Sequence, residues 1–142
     1  MTRYRLWLKI AAILLLLTAA LHSLSFFNEP TGQNETEKQM INLITTYQIE
    51  SGAGFKPTFY DLFTGISIGF SLLFIVGGLT LLLLLNKETK DDVLSGIITI
   101  YLLVYGGCFA ACLYFTFLPP IICTGLIFLS LIIARMVFRK AV

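Results

Sequence analysis

The chain has 142 residues, 57% of them hydrophobic and 13% charged, with a formal net charge of +2. Soluble domains carry roughly 25% charged residues, so this composition excludes an ordinary water-soluble domain and points to lipid as the solvent. The basic residues gather at the ends of apolar segments, as membrane orientation requires and unlike a nucleic-acid groove, so no nucleic-acid partner is expected.

Four apolar segments of about 18 to 27 residues reach or exceed the roughly 20 that a helix needs to cross about 30 Å of hydrocarbon. The expectation is an all-α integral membrane fold: a four-helix transmembrane bundle of up-down topology, with spans at about 6–27, 59–85, 93–118 and 121–138. Residues 1–142 then form one transmembrane domain, and no length is left for a second.

Arg3, Arg5 and Lys9 precede the first apolar run, an order that fits a signal peptide or a retained span. The run continues past Ser23 and Ser25 through Leu24-Ser25-Phe26-Phe27 and exceeds the usual signal core, which favours a retained helix. Thr18, His22 and Ser25 recur at i, i+4 and i+7 and share one face of it.

Residues 28–57 form the one sizeable loop, with Glu29, Glu35, Glu37 and Glu50 and the turn clusters Pro30-Thr31-Gly32 and Ser51-Gly52-Ala53-Gly54. Within it Asn34 and Glu37 read as a capping box. Met40, Ile41, Ile44, Tyr47 and Gln48 then share a face, which predicts a short helix lying at the membrane interface or lidding the bundle, or an ordinary amphipathic loop helix.

The second span opens at Thr58, and Thr58-x-x-Asp61 is a second capping box. Asp61 is also an ionisable residue at the edge of a membrane helix, which by default raises a functional reading. His22 lies about 24 Å from the inner end of the first helix at about 1.5 Å per residue, the depth at which Asp61 enters the second. A polar site of His22, Lys56, Thr58, Tyr60 and Asp61 at the outer mouth is therefore expected beside the simpler reading of a helix cap. Gly65 and Gly69 form a G-x-x-x-G notch that suits close packing inside the bundle or a homodimer, with packing inside the chain favoured.

Beyond the charged turn 86–92, Thr89 and Asp92 are expected to cap the third span. Along it Tyr101, Tyr105, Cys108 and Cys112 line up at i, i+4, i+7 and i+11, as plain core or as the lining of a pocket for a flat hydrophobic ring. Gly107 and Ala111 make another small-residue notch for helix packing. Pro119-Pro120 is expected to break the helix before the fourth span, which ends in Arg135, Arg139 and Lys140.

Arg3, Arg5, Lys9, Lys87, Lys90, Arg135, Arg139 and Lys140 share one side against Lys38 and Lys56 on the other, which puts both termini on the cytoplasmic side. One histidine and three apolar-embedded cysteines make no zinc pattern, and no standard catalytic signature is present, so no metal or cofactor is expected.

Gly54, the run Pro57-Thr58-Phe59-Tyr60-Asp61-Leu62-Phe63-Thr64-Gly65 and His22 together resemble an uncharacterised family of four-span bacterial membrane proteins known by a leptospiral locus tag. The resemblance covers roughly the first two spans. The family pattern has a Gly-His pair in span one and an Arg-Ser/Thr-aromatic-aromatic-Asp-aromatic segment with a following glycine at the start of span two. Here Leu21 precedes His22, and Pro57, beside Lys56, stands where the arginine is expected. The resemblance implies the four-helix layout, a bacterial cytoplasmic membrane and attention to His22, Thr58, Asp61 and Gly65, and it brings no activity with it.

Two function classes follow. One is a non-catalytic membrane subunit or interaction module that pairs with another membrane protein or with itself. The other is a protein or enzyme that binds a lipid, quinone or other hydrophobic small molecule at the His22 and Asp61 cluster. The first is favoured, because an enzyme needs several polar groups converging on one water-accessible pocket and few are present.

Overall fold

The computed structural model describes residues 3–28, 30–50 and 52–139; Glu29, Ser51 and Lys140, used in the loop and charge readings, lie outside the described residues. Among the described residues five α-helices follow in order: α1 Arg3–Ser23, α2 Glu35–Thr46, α3 Phe59–Asn86, α4 Asp91–Phe115 and α5 Leu118–Arg139. A 3-10 turn, Leu24–Phe27, extends α1. Among the described residues the β structure is limited to one isolated antiparallel bridge, Gln48 to Thr58, so the fold is all-α. Helix α1 with its 3-10 turn, α3, α4 and α5 are each long and apolar enough to cross a membrane. The chain divides into two compact units, one of Met1–Ala19 and Phe74–Val142, the other of Ala20–Leu73.

In the first unit the buried stripes carry many of the smaller residues. Helix α1 turns Tyr4, Leu8, Ala11, Ala12, Leu15 and Ala19 inward, at spacings of three and four that define one face. The second half of α3 buries Phe74, Gly77, Gly78 and Leu81. The two glycines let three helices approach closely. A Cβ on Gly78 would stand 2.7 Å from the Leu16 side chain and 3.0 Å from the Ala12 carbonyl oxygen, and one on Gly77 would overlap the Tyr105 hydroxyl. In the same layer the buried Tyr101 hydroxyl donates to the Gly77 carbonyl at 2.8 Å.

Helices α4 and α5 lock by a reciprocal device. Gly106 faces the Phe128 ring, Gly125 faces the Phe109 ring, and the two rings lie 5.9 Å apart between centroids. Each glycine is the hole for the other helix's aromatic knob. The buried hydroxyls of Thr124 and Ser130 donate to the carbonyls of Pro120 and Leu126, one turn back, so α5 carries these polar groups inside without loss.

One end of this unit is tied by polar contacts. The Tyr4 hydroxyl donates to Asp91 Oδ1, and Arg5 donates to the same oxygen at 2.9 Å and to the Thr89 carbonyl at 2.7 Å. The Tyr4 ring meets Phe138 edge to face at 5.0 Å, and Arg135 donates to Ser95 Oγ at 2.7 Å. The start of α1, the α3–α4 turn and the end of α5 therefore gather at one end, and these are the elements that carry most of the basic residues.

Two expectations about helix ends are corrected. Thr89 and Asp92 form no capping box: α4 begins at Asp91, Lys90 is its N-cap without a side-chain bond, and Asp92 accepts from the Val93 amide. Arg5 holds the Thr89 carbonyl and Asp91 instead, leaving Thr89 outside the capping position. Pro119 and Pro120 do not break a helix but start one, inside the first turn of α5, where their missing N–H groups have no intrahelical partner to lose. The chain reverses at Thr116 and Phe117.

Gly77→Ala should destabilise the protein by about 1–3 kcal/mol through overpacking against the Tyr105 hydroxyl. Adding Tyr105→Phe, which deletes that oxygen, should recover part of the loss. Thermal unfolding in detergent of the single and double variants reads both effects, and equal stability of all four proteins would contradict this packing.

Candidate functional site

In the second unit the Asn28–Pro57 connection is organised by local caps. The Asn34 side chain accepts from the Glu37 amide at 2.9 Å, while the Glu37 carboxylate accepts from the Gln33 amide at 2.7 Å, so α2 begins where the capping pattern places it. Helix α2 buries no residue, and Met40 and Leu43 are exposed. The loop returns through Gly52 and Gly54 with φ of +84° and +82°, left-handed values that glycine adopts without strain. The Ile49 amide then donates to the Pro57 carbonyl at 2.9 Å and delivers the chain to α3.

The expected polar residues are distributed as follows. Thr58 and Asp61 form the complete reciprocal box: the Asp61 amide donates to Thr58 Oγ1 at 3.1 Å, and the Thr58 amide and hydroxyl each donate to Asp61 Oδ2 at 2.8 Å. Lys56 pairs across the loop with Glu50 at 3.5 Å and not with Asp61. His22 is packed edge-on between Phe26 and Phe70, with ring centroids at 5.8 and 5.7 Å. Its Nε2 is buried and has no hydrogen-bond partner among the described residues, so no bond from that atom reaches Asp61.

Tyr60 belongs to a different arrangement. With Phe63, Thr64 and Ser67 it occupies one face of α3, at i, i+3, i+4 and i+7, and this face and the 3-10 turn residues Ser25 and Phe26 line an open recess of about 190 Å³. Asn28 and Pro30 complete the rim. The same face continues to the buried Ser71, whose hydroxyl lies 3.4 Å from that of Ser23. Phe26, Phe63 and Ser67 escaped the sequence reading, which weighed α3 by its carboxylate. The available signal was the hydroxyl series Tyr60, Thr64, Ser67 and Ser71 at helical spacing.

The other proposed clusters resolve differently. Tyr101, Tyr105 and Cys112 are buried in the first unit and Cys108 is half-buried; the stripe is core, and the Tyr101 hydroxyl is engaged by Gly77. The glycines expected to seam the bundle do not do so. A Cβ at Gly65, Gly69 or Gly107 would meet nothing within 4 Å, and Ala111 is exposed. The sequence patterns alone could not distinguish these outward notches from Gly77, Gly78, Gly106 and Gly125, because each glycine's role depends on which neighbour faces it.

Among the described residues no three His, Cys, Asp or Glu side chains stand close enough together to hold a metal ion. The chain matches no protein-family model, no curated protein and no solved structure.

The capping geometry makes a direct prediction. Thr58→Ala should cost about 1 kcal/mol and speed amide exchange in the first turn of α3. His22→Phe should leave stability unchanged or raised, because it replaces a buried, unbonded nitrogen with carbon. Combined with Asp61→Asn, its effect on the melting temperature should be additive; strong coupling between the two substitutions would show an interaction that this geometry lacks.

Proposed function

We propose that this chain is an integral protein of a bacterial cytoplasmic membrane, with both termini cytoplasmic, that acts as a non-catalytic membrane module by pairing with a second copy of itself through α3. Support for the membrane comes from the surface. Large apolar side chains are exposed on every long helix, among them Leu17, Ile66, Leu103 and Leu129, far beyond the apolar patches of soluble monomers. The tied end of the first unit carries the basic residues that face the cytoplasm under the positive-inside rule. On this reading α2, with Met40 and Leu43 exposed, rests on the outer membrane surface. The resemblance of the first two spans to a four-span bacterial family belongs to the same proposal.

The observation that carries the pairing is the contrast between two sets of glycines. Gly77, Gly78, Gly106 and Gly125 each meet a neighbouring side chain, whereas Gly65 and Gly69 meet none within 4 Å on a helix of membrane length. Leu62, Ile66, Leu72 and Leu73 flank that open notch and are all exposed. Two copies inserted with the same topology and related by a two-fold axis along the membrane normal set α3 parallel to α3. This is the geometry in which a G-x-x-x-G surface is self-complementary.

Native mass measurement of the detergent-extracted protein should give a dimer. Gly65→Leu or Gly69→Leu should weaken it at least tenfold without lowering the melting temperature, since the new side chains enter open space in the single chain. Gly107→Leu should leave the dimer intact. A monomeric wild type, a different protein bound in fixed ratio, or a Gly69→Leu variant that dimerises normally would overturn the proposal.

A further inference from the structure

The recess between the 3-10 turn and the start of α3 has a chemistry of its own. Its volume is about 190 Å³, and an apolar cavity of about 150 Å³ is enough for benzene, so the space suits one substituted ring and not a whole lipid. Its walls include Phe26, Tyr60 and Phe63, which offer flat faces and edges to an aromatic or quinonoid ring. Among the described residues no charged side chain lines it, and none supplies a cation for a phosphate or carboxylate headgroup.

The hydrogen-bonding groups are unevenly engaged. Ser25 donates to the His22 carbonyl at 2.7 Å and Asn28 donates to the Leu24 carbonyl at 3.2 Å. The hydroxyls of Tyr60, Thr64 and Ser67 line the recess and make no side-chain hydrogen bond among the described residues. By contrast Thr99, Thr116 and Thr124 donate to carbonyls one helical turn back. The recess thus presents three uncommitted hydroxyls against aromatic walls, each able to donate to a carbonyl oxygen on a flat ring. Exposed Phe59, stacked on Phe63 with ring centroids 6.4 Å apart, gives an apolar tail a surface to follow.

We infer that this recess binds the headgroup of an uncharged, flat, carbonyl-bearing ring with an apolar tail, the chemical class of a membrane quinone, held by the hydroxyls of Tyr60, Thr64 and Ser67. The inference rests on membrane insertion but not on the pairing of α3. His22 stands behind one wall, its ring 5.8 Å from that of Phe26 between centroids.

The test is a titration of decylubiquinone into phosphatidylcholine nanodiscs containing the full chain, with protein-free discs as the reference for partitioning. Saturable binding of one quinone per chain is expected. Thr64→Val with Ser67→Ala should weaken it at least tenfold at an unchanged melting temperature, Tyr60→Phe should weaken it independently, and Thr99→Val, on α4 outside the recess lining, should have no effect. Gly69→Leu should retain binding, which separates this inference from the dimer. Uptake no greater than that of protein-free discs, undiminished binding by both the double variant and Tyr60→Phe, or preferential saturable binding of decyl glucoside, whose ring is puckered and carries no carbonyl, would overturn it.

Discussion

The close approach of α1, α3 and α4 around Gly77 and Gly78 is the constraint on which the first unit depends. Helices in lipid gain little from burying apolar surface against one another, so their association rests on intimate contact and on hydrogen bonds between helices. Both are present in this layer. Gly78 admits Leu16 and the backbone at Ala12, Gly77 admits the Tyr105 hydroxyl, and Tyr101 adds a buried hydrogen bond to the Gly77 carbonyl. The Gly106 and Phe128, Gly125 and Phe109 exchanges apply the same logic to the α4–α5 hairpin, and the Tyr4, Arg5 and Asp91 cluster sets the register at one end.

The second unit follows a different logic. Its order comes from caps and turns: the Asn34 and Glu37 box, the Gly52 and Gly54 turn, the short bridge at Thr58 and the Thr58 and Asp61 box. In the first half of α3 Ser71 is buried, Tyr60, Thr64, Ser67 and Phe70 are half-buried, and the glycine notch is open. This half of α3 is therefore free to contribute to something else, and its two unclaimed faces have different chemistries. One is smooth and small enough for another helix, the other concave and lined with hydroxyls. Asp61 serves neither face directly, since it is engaged in starting the helix.

Much of this was legible in the residues. Four apolar runs flanked by basic residues specified the long helices to within a few positions, and both Asn34 and Thr58 marked helix starts through local chemistry that needs no tertiary information. Where the pattern depended on a distant partner it failed. Thr89 and Asp92 have the spacing of a cap, but Arg5, far away in sequence, draws Asp91 and the Thr89 carbonyl into another arrangement. Which glycines pack was likewise undecidable from spacing, because G-x-x-x-G describes a surface and not its occupant. The recess was hidden for a related reason: half of its lining comes from the 3-10 turn after α1 and the residues that follow it, whose approach to α3 no single-helix periodicity encodes.

The central claim is that the open face of α3 meets its own copy. The most direct measurement is a pulsed electron-spin distance between labels placed at Ile66, beside the notch, in protein reconstituted into bilayers. A paired α3 predicts one short, narrow distance, consistent with helix axes about 8–10 Å apart, that disappears in the Gly69→Leu background. A signal with no defined distance, scaling only with the density of protein in the bilayer, would contradict the claim.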